Sequence, residues 1–569
     1  MKVLSRPAAA LLLALPMATA WADERTDLLE MKNTILNLVD ALVEQGILTE
    51  AKAQALKNEA AARARADAAR ETVVETAPAD QAADKTTAAG KVVRVPYVPN
   101  FVKDEIREQV RAELRKDVTA DVVAKAKEER WGLKDALPAW VTALRWSGDA
   151  RLRYQGDYFA SSNQPASLPN FQAINEAGGI TRAGQNAFLN STEDRHRTRV
   201  RARLSLDATV ADNVDVGLRF VTGRLDNPIS MNESLGRQGD PIEFNVDRLW
   251  IGWNERDADG FSRVFARGGR IPNPYFTPSD VLWDNDLAFE GFAVSVHQPL
   301  WFLDPVAGPA SPKRQVFLTV GAYPLLENEL PVADDSSNDK WLWGGQAGID
   351  FAFTTTQAAT IAFAFHDYIN VPGQRNQFNS VLRDWTAPRS VVKGNTLYDL
   401  RNDLDLTTEL FGLAADFTLI NLSMQYRYSG FDAADVWLTG ELVKNIGYDE
   451  GEIARRTGVR VPERSLAWHL GMQVGNACDT VQALTHCVDR AGEWTLYSYY
   501  RYLQRDSMLD AFTDSNFNLG GTNTQGYVIG ADYGLTRGTW LRTRWMSSDE
   551  IDGVPFSMDV LQVDVNANF

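Results

Sequence analysis

Apolar and polar residues alternate in short segments along most of the chain after about residue 143. In the clearest segment, 197–210, apolar side chains share one face and a run of arginines shares the other. A two-residue period predicts a β-strand with one apolar and one polar face. Sixteen segments follow this pattern: 143–155, 197–210, 213–223, 243–254, 262–270, 287–298, 314–323, 341–353, 359–369, 408–429, 434–445, 465–475, 492–503, 525–535, 538–548 and 558–569.

One of these segments, 408–429, changes the phase of its alternation between Leu419 and Leu422. We interpret it as one long strand with a bulge, because two strands would make the total odd and bacterial barrels have an even number. With sixteen strands, the two cysteines fall in a periplasmic connection. The long connections are then external: 156–196, 224–241, 271–286, 324–340, 370–407, 446–464 and 504–524.

The first part of the chain has a helical period instead. Apolar residues recur every three or four positions from Leu28 to Leu42, and again from Phe101 to about Arg130. We predict an α-helical extension over 23–140, with a linker rich in Ala and Thr at 71–95. The first helical stretch is either a short coiled coil that joins copies of the chain, for example as a homotrimer, or an amphipathic helix packed on another surface.

The extreme N-terminus has the pattern of a secretory signal. Basic Lys2 and Arg6 precede an apolar run, and Ala20 and Ala22 form a small-x-small cleavage site. We predict a signal peptide over 1–22, because the apolar run is too short to span a bilayer. No later window offers the ~18 uncharged apolar residues of a transmembrane helix. A helical membrane protein is therefore excluded.

Composition supports an exported barrel. The formal net charge is −17, and the chain contains 16 Trp, 16 Tyr and 25 Phe. Its acidity argues against a nucleic-acid partner, since such proteins present a basic surface. Abundant aromatics without long apolar runs are typical of a membrane barrel, whose aromatic girdles lie at the lipid interfaces. We predict an all-β membrane barrel of about 16 antiparallel strands over 141–569, surrounded by outer-membrane lipid.

The chain ends on an aromatic residue at the close of an alternating segment. Apolar residues occupy every second position from Leu561 to Phe569. This ending resembles the C-terminal strand that the outer-membrane barrel-assembly machinery recognises. In a soluble protein such a strand would leave an exposed edge, whereas a closed barrel pairs it. We therefore interpret Phe569 as an assembly signal.

Six arginines on the first two strands are candidates for a charge-selective pore lining. They share the polar faces of two neighbouring strands, so they would lie side by side on the lumen wall: Arg151, Arg153, Arg197, Arg199, Arg201 and Arg203. A ring of one charge sign biases which ions pass. The alternative is that these arginines pair with lumen carboxylates and only rigidify the wall.

The connection 271–286 is a candidate constriction. Three prolines stiffen it, and its aromatic residues give it an apolar side that favours burial. We predict that it folds into the lumen and presents Asp280, Asp284 and Asp286 toward the arginines. The alternative is a lid on the outer surface, where loops usually run.

Cysteine and histidine are scarce. Cys478 and Cys487 lie nine positions apart in an exported chain, which predicts a local disulfide. Two free thiols are one alternative, and metal binding by the pair together with His486 is another. Five histidines are present, and none belongs to a motif of metal binding or nucleophilic catalysis. His366, next to Asp367, is the best candidate for a general base. We predict no enzymatic activity, no cofactor and no metal.

Five stretches together resemble a known family, the putative porins of proteobacterial outer membranes. These stretches are 97–114, 269–276, 283–291, 500–517 and 520–527. The resemblance implies a barrel and a passive diffusion channel for ions and small polar solutes in a Gram-negative outer membrane. It brings no substrate residues with it. Two alternatives stay open: an envelope tether whose periplasmic helical extension contacts the cell wall, and an outer-membrane barrel enzyme.

Overall fold

The computed structural model describes residues 144–223, 228–257, 261–300, 314–329, 339–477 and 488–569. The signal peptide, the helical extension, the linker and the cysteine pair, all predicted above, lie outside these residues. The described residues form one large antiparallel sheet of sixteen long strands, with the two-residue strand Glu233–Ser234 beside it. The predicted all-β barrel is confirmed.

The long strands are numbered here in chain order. They are β1 Leu144–Phe159, β2 Arg195–Ala211, β3 Val214–Thr222, β4 Phe244–Arg256, β5 Ser262–Pro272, β6 Ala288–Pro299, β7 Arg314–Leu326, β8 Lys340–Ala352, β9 Gln357–Ile369, β10 Thr418–Tyr428, β11 Asp435–Asn445, β12 Leu466–Gly475, β13 Trp494–Leu503, β14 Thr524–Thr536, β15 Thr539–Glu550 and β16 Ser557–Asn568.

The sheet closes on itself. Strand β1 pairs with β2 on one side and with β16 on the other, from Asp149 opposite Asn568 to Phe159 opposite Met558. At the end of the seam, Gly148 N donates to Phe569 O at 3.0 Å. Closure pairs the first and last strands with each other, so neither is left as an open edge.

The alternation of apolar and polar residues gives the wall an apolar outer face and a polar inner face. On β1, Leu152 points outward and is 50% exposed, whereas its neighbour Arg153 points into the lumen and is 1% exposed. A soluble protein buries its apolar side chains, so this wall has the inverted polarity of a barrel in lipid. Among the described residues, no helix is long and apolar enough to cross a membrane.

The interpretation of 408–429 as one long strand was wrong in its extent. Strand β10 begins only at Thr418, and Phe411–Leu413 pairs instead with Leu397–Asp399 in a separate two-stranded sheet. Between them, Ala414, Ala415 and Phe417 are fully buried in the preceding loop. The phase change therefore marks the passage from loop core to barrel wall.

Connections of very different length lie at the two rims. Seven of the eight connections at one end, here called the loop rim, exceed ten residues. Their described residues carry three α-helices, α1 Phe171–Ala177, α2 Ile180–Ala183 and α3 Glu450–Thr457. The other end, here called the turn rim, has mostly short turns, and its connection 476–493 contains both cysteines. The main apolar core is formed by loop-rim residues that fold into the lumen against the wall, among them Tyr275, Trp283, Leu400 and Met508.

Candidate functional site

The wall is interrupted at the loop rim around one hairpin. Strand β5 pairs with β4 only from Arg270, opposite Leu249, toward the turn rim. Strand β6 pairs with β7 only from Phe292, opposite Ala322, in the same direction. Beyond these points the tips of β5 and β6 pair only with each other. The hairpin tip is therefore free to leave the wall.

The connection 273–287 at the tip of this hairpin crosses the lumen. Phe276 N donates to Gln346 Oε1 on β8 at 2.7 Å, and Gln346 Nε2 donates back to Phe276 O at 2.9 Å. Farther along, Ser279 Oγ donates to Glu441 on β11, and Asp280 accepts from Arg501 on β13. Because these partners lie on strands around the circumference, the connection spans the lumen as a bridge.

Asp286 reaches the arginines of β2. Its Oδ1 lies 3.5 Å from Arg201 Nη1 and 3.3 Å from Arg203 Nη1. Both arginines also contact Asp149 of β1, at 2.8 and 2.6 Å. Burial raises the pKa of Asp286, but the guanidinium groups of Arg201 and Arg203 outweigh that effect and hold the pKa well below its usual range. Asp286 is therefore an anion at neutral pH.

The other two aspartates of the connection have different partners. Asp280 pairs with Arg501, which also holds Asp514 at 2.7 Å. Asp284 accepts from the backbone N–H groups of Asp286, at 2.7 Å, and of Ser515, at 3.0 Å. Burial, reinforced by the carboxylates of Asp286 and Asp514, raises the pKa of Asp284 well above its usual range. Of the three predicted aspartates, only Asp286 contacts the predicted arginines.

The six predicted arginines lie on the lumen face of β1 and β2, and five of them are near a carboxylate. Arg153 pairs with Asp564 at 2.7 Å, and Arg151 lies 4.0 Å from the same aspartate. Arg197 pairs with Asp157 at 2.6 Å. Arg201 and Arg203 have the partners given above.

Arg199 differs from the other five. Among the described residues it has no carboxylate within 4.0 Å, and its nearest partners are Gln155 Oε1 at 3.3 Å, Ser230 Oγ at 3.4 Å and Asn232 O at 3.4 Å. Of the six predicted arginines, Arg199 is thus the one whose guanidinium contacts only neutral oxygens.

Sequence reasoning missed a further group of lumen charges on β3 and β4. Arg219 pairs with Asp247, and Arg248 lies opposite Arg219 in the register. The register shifts here, and Val246 and Leu249 both face outward, so the two residues between them share the lumen side. A bulge of this kind breaks the alternation on which the prediction depended. The signal was present in the sequence, since the apolar positions of this strand change phase between Val246 and Leu249.

Two cavities meet at the Asp286 ion pairs. The cavity toward the loop rim has a volume of about 620 Å³ and is lined by Asp286 among others. The cavity toward the turn rim, of about 640 Å³, is lined by Arg201 and Arg203. The contact between these side chains therefore lies where the two spaces adjoin.

The catalytic candidate lacks a suitable geometry. His366 is buried, and its ring packs edge-on against Tyr275 and Trp283, with centroids 4.9 and 5.2 Å apart. Asp367 points the other way and accepts from Thr418 Oγ1 at 2.7 Å, since strand neighbours face opposite sides. Across the part of the chain that the structure describes, no group of three or more His, Cys, Asp or Glu side chains is placed to hold a metal ion.

A closed barrel with an apolar exterior, a charged lumen and an inward-folded connection defines a membrane channel protein of the porin class. The chain belongs to the family described as Putative porin, whose family model matches residues 32–569. The predicted family is thereby confirmed, and the protein is a porin. No curated protein matches the chain.

Several solved outer-membrane proteins are similar in structure. OprB of Pseudomonas putida is 10% identical, with a TM-score of 0.39, covering 75% of this chain and 94% of its own. The outer membrane channel DcaP of Acinetobacter baumannii is 11% identical, with a TM-score of 0.34, covering 75% and 98%. A mutant of the Rhodopseudomonas blastica porin is 10% identical, with a TM-score of 0.31, covering 75% and 100%.

Proposed function

We propose that this porin is a passive diffusion channel of the bacterial outer membrane for ions and small polar solutes, constricted where Asp286 meets Arg201 and Arg203. The observation that carries the proposal is the ion pairing of Asp286 at 3.5 and 3.3 Å. It joins a connection that crosses the lumen to the wall at β2. Solutes moving between the two cavities pass this point.

Opposed charges at a narrow point select by polarity. Carboxylates and guanidinium groups across a low-dielectric passage create a transverse field, which favours polar or charged solutes over apolar ones. Arg199 and Arg248 add positive charge that no carboxylate within 4.0 Å offsets among the described residues. Loss of the Asp286 charge would leave Arg201 and Arg203 with Asp149 alone.

The orientation in the membrane is part of the proposal. Long connections of bacterial barrels are external and short turns periplasmic, so the loop rim faces outward and β1 begins on the periplasmic side. An N-terminal extension would then lie in the periplasm. The predictions of a homotrimer and of cell-wall contact depend on residues 23–140 and stay predictions.

Ion selectivity of two matched variants tests the constriction. The full chain is reconstituted in planar bilayers under a salt gradient, and the reversal potential is measured for the wild type, Asp286→Asn and Asp284→Asn. We expect Asp286→Asn to shift the reversal potential toward anions, because it removes a charge between two arginines. Asp284→Asn should leave it unchanged, because the Asp284 carboxyl accepts from backbone N–H groups and contacts none of these arginines. Equal reversal potentials for the wild type and Asp286→Asn would place the constriction elsewhere, and absence of conductance would refute the channel.

A further inference from the structure

A smaller cavity lies at the loop-rim end of β2, and its charged lining is mostly basic. Its volume is about 340 Å³, and the described residues that line it include three arginines, Arg195, Arg199 and Arg237, but only one acidic residue, Glu233. The segment 230–236 supplies the rest of the described lining: Ser230, Asn232, Ser234, Leu235 and Gly236. We call this space the arginine cavity.

The short strand Glu233–Ser234 decides which side chains face Arg199. It pairs with β2 beyond the end of β3, with Ser234 opposite Arg199 and Glu233 opposite Val200. Directly opposed residues of paired strands have their side chains on the same face of the sheet, and neighbours along a strand have them on opposite faces. Ser234 therefore lies on the lumen face with Arg199, whereas the carboxylate of Glu233 lies on the other face with Val200.

The three arginines of the cavity keep their positive charge without a counterion. Among the described residues, none of them has a carboxylate oxygen within 4.0 Å. Arg195 shares the lumen face of β2 with Arg199, and the arginine between them on that face, Arg197, is neutralised by Asp157 at 2.6 Å. Like charges that share a cavity repel each other, so an anion that enters the arginine cavity lowers its electrostatic energy.

The guanidinium groups also restrict the chemistry of that anion. Their planar arrangement of N–H donors matches the paired oxygens of carboxylate, phosphate and sulfate groups. Three arginines and one glutamate leave an excess of two positive charges, which a doubly charged anion balances. A volume of about 340 Å³ is at the lower end of the range of small-molecule sites, so the ligand is small.

From these observations we propose that the arginine cavity binds a small, doubly charged oxyanion, such as sulfate, hydrogen phosphate or a short dicarboxylate, between Arg195, Arg199 and Arg237. Because Arg195 and Arg199 face the lumen, this anion is a solute and not the headgroup of a membrane lipid. The inference deepens the proposed function, on which its physiological role rests. It places an anion site at the mouth of the channel, on the strand that carries Arg201 and Arg203 at the constriction.

Isothermal titration of sodium sulfate into the full chain in micelles of a neutral detergent tests the site without any conductance. We expect sulfate to bind, and acetate, which carries one charge, to bind about tenfold more weakly. Binding of acetate as tight as that of sulfate would overturn the double charge of the ligand, and absence of sulfate binding would overturn the site. Phosphatidylglycerol added to the micelles should not displace sulfate, and displacement would assign the arginines to a lipid headgroup.

Variants of the lining locate the binding. Arg199→Gln and Arg237→Gln each remove one guanidinium, so we expect the affinity for sulfate to fall about tenfold in each. Glu233→Gln removes the one acidic side chain of the described lining and should raise the affinity. Arg460→Gln is the matched control, because Arg460 is an exposed loop-rim arginine that does not line the cavity.

Two further outcomes separate the site from the channel and from folding. Arg195 and Arg237 are exposed, so their glutamine variants test the site even if Arg199→Gln does not fold. Unchanged affinity for sulfate in both exposed variants would refute the site. Sulfate binding by a protein that conducts no ions would refute the proposed function and leave the site standing, whereas conductance without sulfate binding would refute the site alone.

Discussion

Gly269 and Gly291 face each other as register partners across the β5–β6 hairpin, and both have positive φ values, +119° and +137°. A Cβ atom on Gly269 would lie 2.4 Å from Leu249 O, and one on Gly291 would lie 2.2 Å from Ala322 O. These carbonyls belong to the flanking strands β4 and β7, next to the points where pairing with the hairpin begins. The hairpin therefore turns into the lumen at a pair of positions that only glycine fits.

Alanine at either glycine should release the hairpin. Both φ values are costly for a residue with a side chain, by about 1–3 kcal/mol each, and the backbone oxygens cannot easily move. We expect Gly269→Ala and Gly291→Ala to shift the connection 273–287 out of the lumen, and single-channel conductance in planar bilayers to rise. Gly345→Ala on β8 is the control, since a Cβ there meets nothing within 4 Å. Wild-type conductance in folded Gly291→Ala would show that this glycine does not set the bend.

Arg501 anchors the same connection on the far wall. It is buried and pairs with both Asp280 and Asp514. Replacement by methionine would leave two buried carboxylates without their cation, a change that costs about 3–5 kcal/mol in buried pairs. We expect Arg501→Met to lower the free energy of unfolding. The measurement is a urea titration, in which the folded and unfolded bands are separated on cold gels.

Two further variants separate buried charge from lost packing. Addition of Asp280→Asn and Asp514→Asn to Arg501→Met removes the stranded charges, so part of the stability should return. Arg455→Met removes an ion pair on the exposed surface of α3 and should change the free energy of unfolding by less than about 0.5 kcal/mol. A triple variant less stable than Arg501→Met alone would contradict the assigned role of these carboxylates.

The barrel was predictable because alternation is a local property of each strand. The predicted number of sixteen strands is confirmed, although the predicted strand 408–429 is too long. The phase change near Leu419, which lies close to the true start of that strand, was already visible in the sequence. Burial of the connection 273–287 was predictable from its prolines and aromatics. The contact of Asp286 with the arginines of β2 was also predicted, but the pairing of Asp280 with Arg501 was not, because it depends on which strands face each other across the lumen. Asp286 meets Arg203 more than 80 positions away in the chain, and Asp280 meets Arg501 more than 220 away.

Acid should stabilise the junction between two loop-rim connections, 370–417 and 504–523. Asp506 accepts from Thr396 N and Oγ1 at 2.8 and 2.6 Å, and Asp510 accepts from Val392 N at 3.3 Å. Burial raises the pKa of Asp506 to about 6 and that of Asp510 to about 7. A carboxyl whose folded-state pKa is raised contributes stability that is present below its unfolded pKa and is lost as pH rises through the folded value. The junction should therefore weaken between about pH 4 and pH 7.

Hydrogen exchange at pH 5 and pH 8, corrected for intrinsic rates, measures this effect. We expect amides of 390–397 and 505–512 to be better protected at pH 5, and Asp510→Asn to reduce the difference. Asp405→Asn is the control in the same long connection, because hydrogen bonds from Thr407 lower the pKa of Asp405 and give the opposite sign. Better protection at pH 8 in the wild type would refute the account.

The connection 476–493 at the turn rim is expected to hold a disulfide between Cys478 and Cys487. Both cysteines lie outside the described residues, but the strands that carry this connection are described, and Asn476 N donates to Trp494 O at 3.1 Å beyond the last register pair of β12 and β13. An exported chain with two cysteines this close favours their oxidation. A ring of this size would stabilise the folded state by about 2–3 kcal/mol, mainly by restricting the unfolded chain. Maleimide labelling of the unreduced, denatured protein should find no free thiol in the wild type and one in Cys478→Ser; two labelled thiols in the wild type would refute the disulfide.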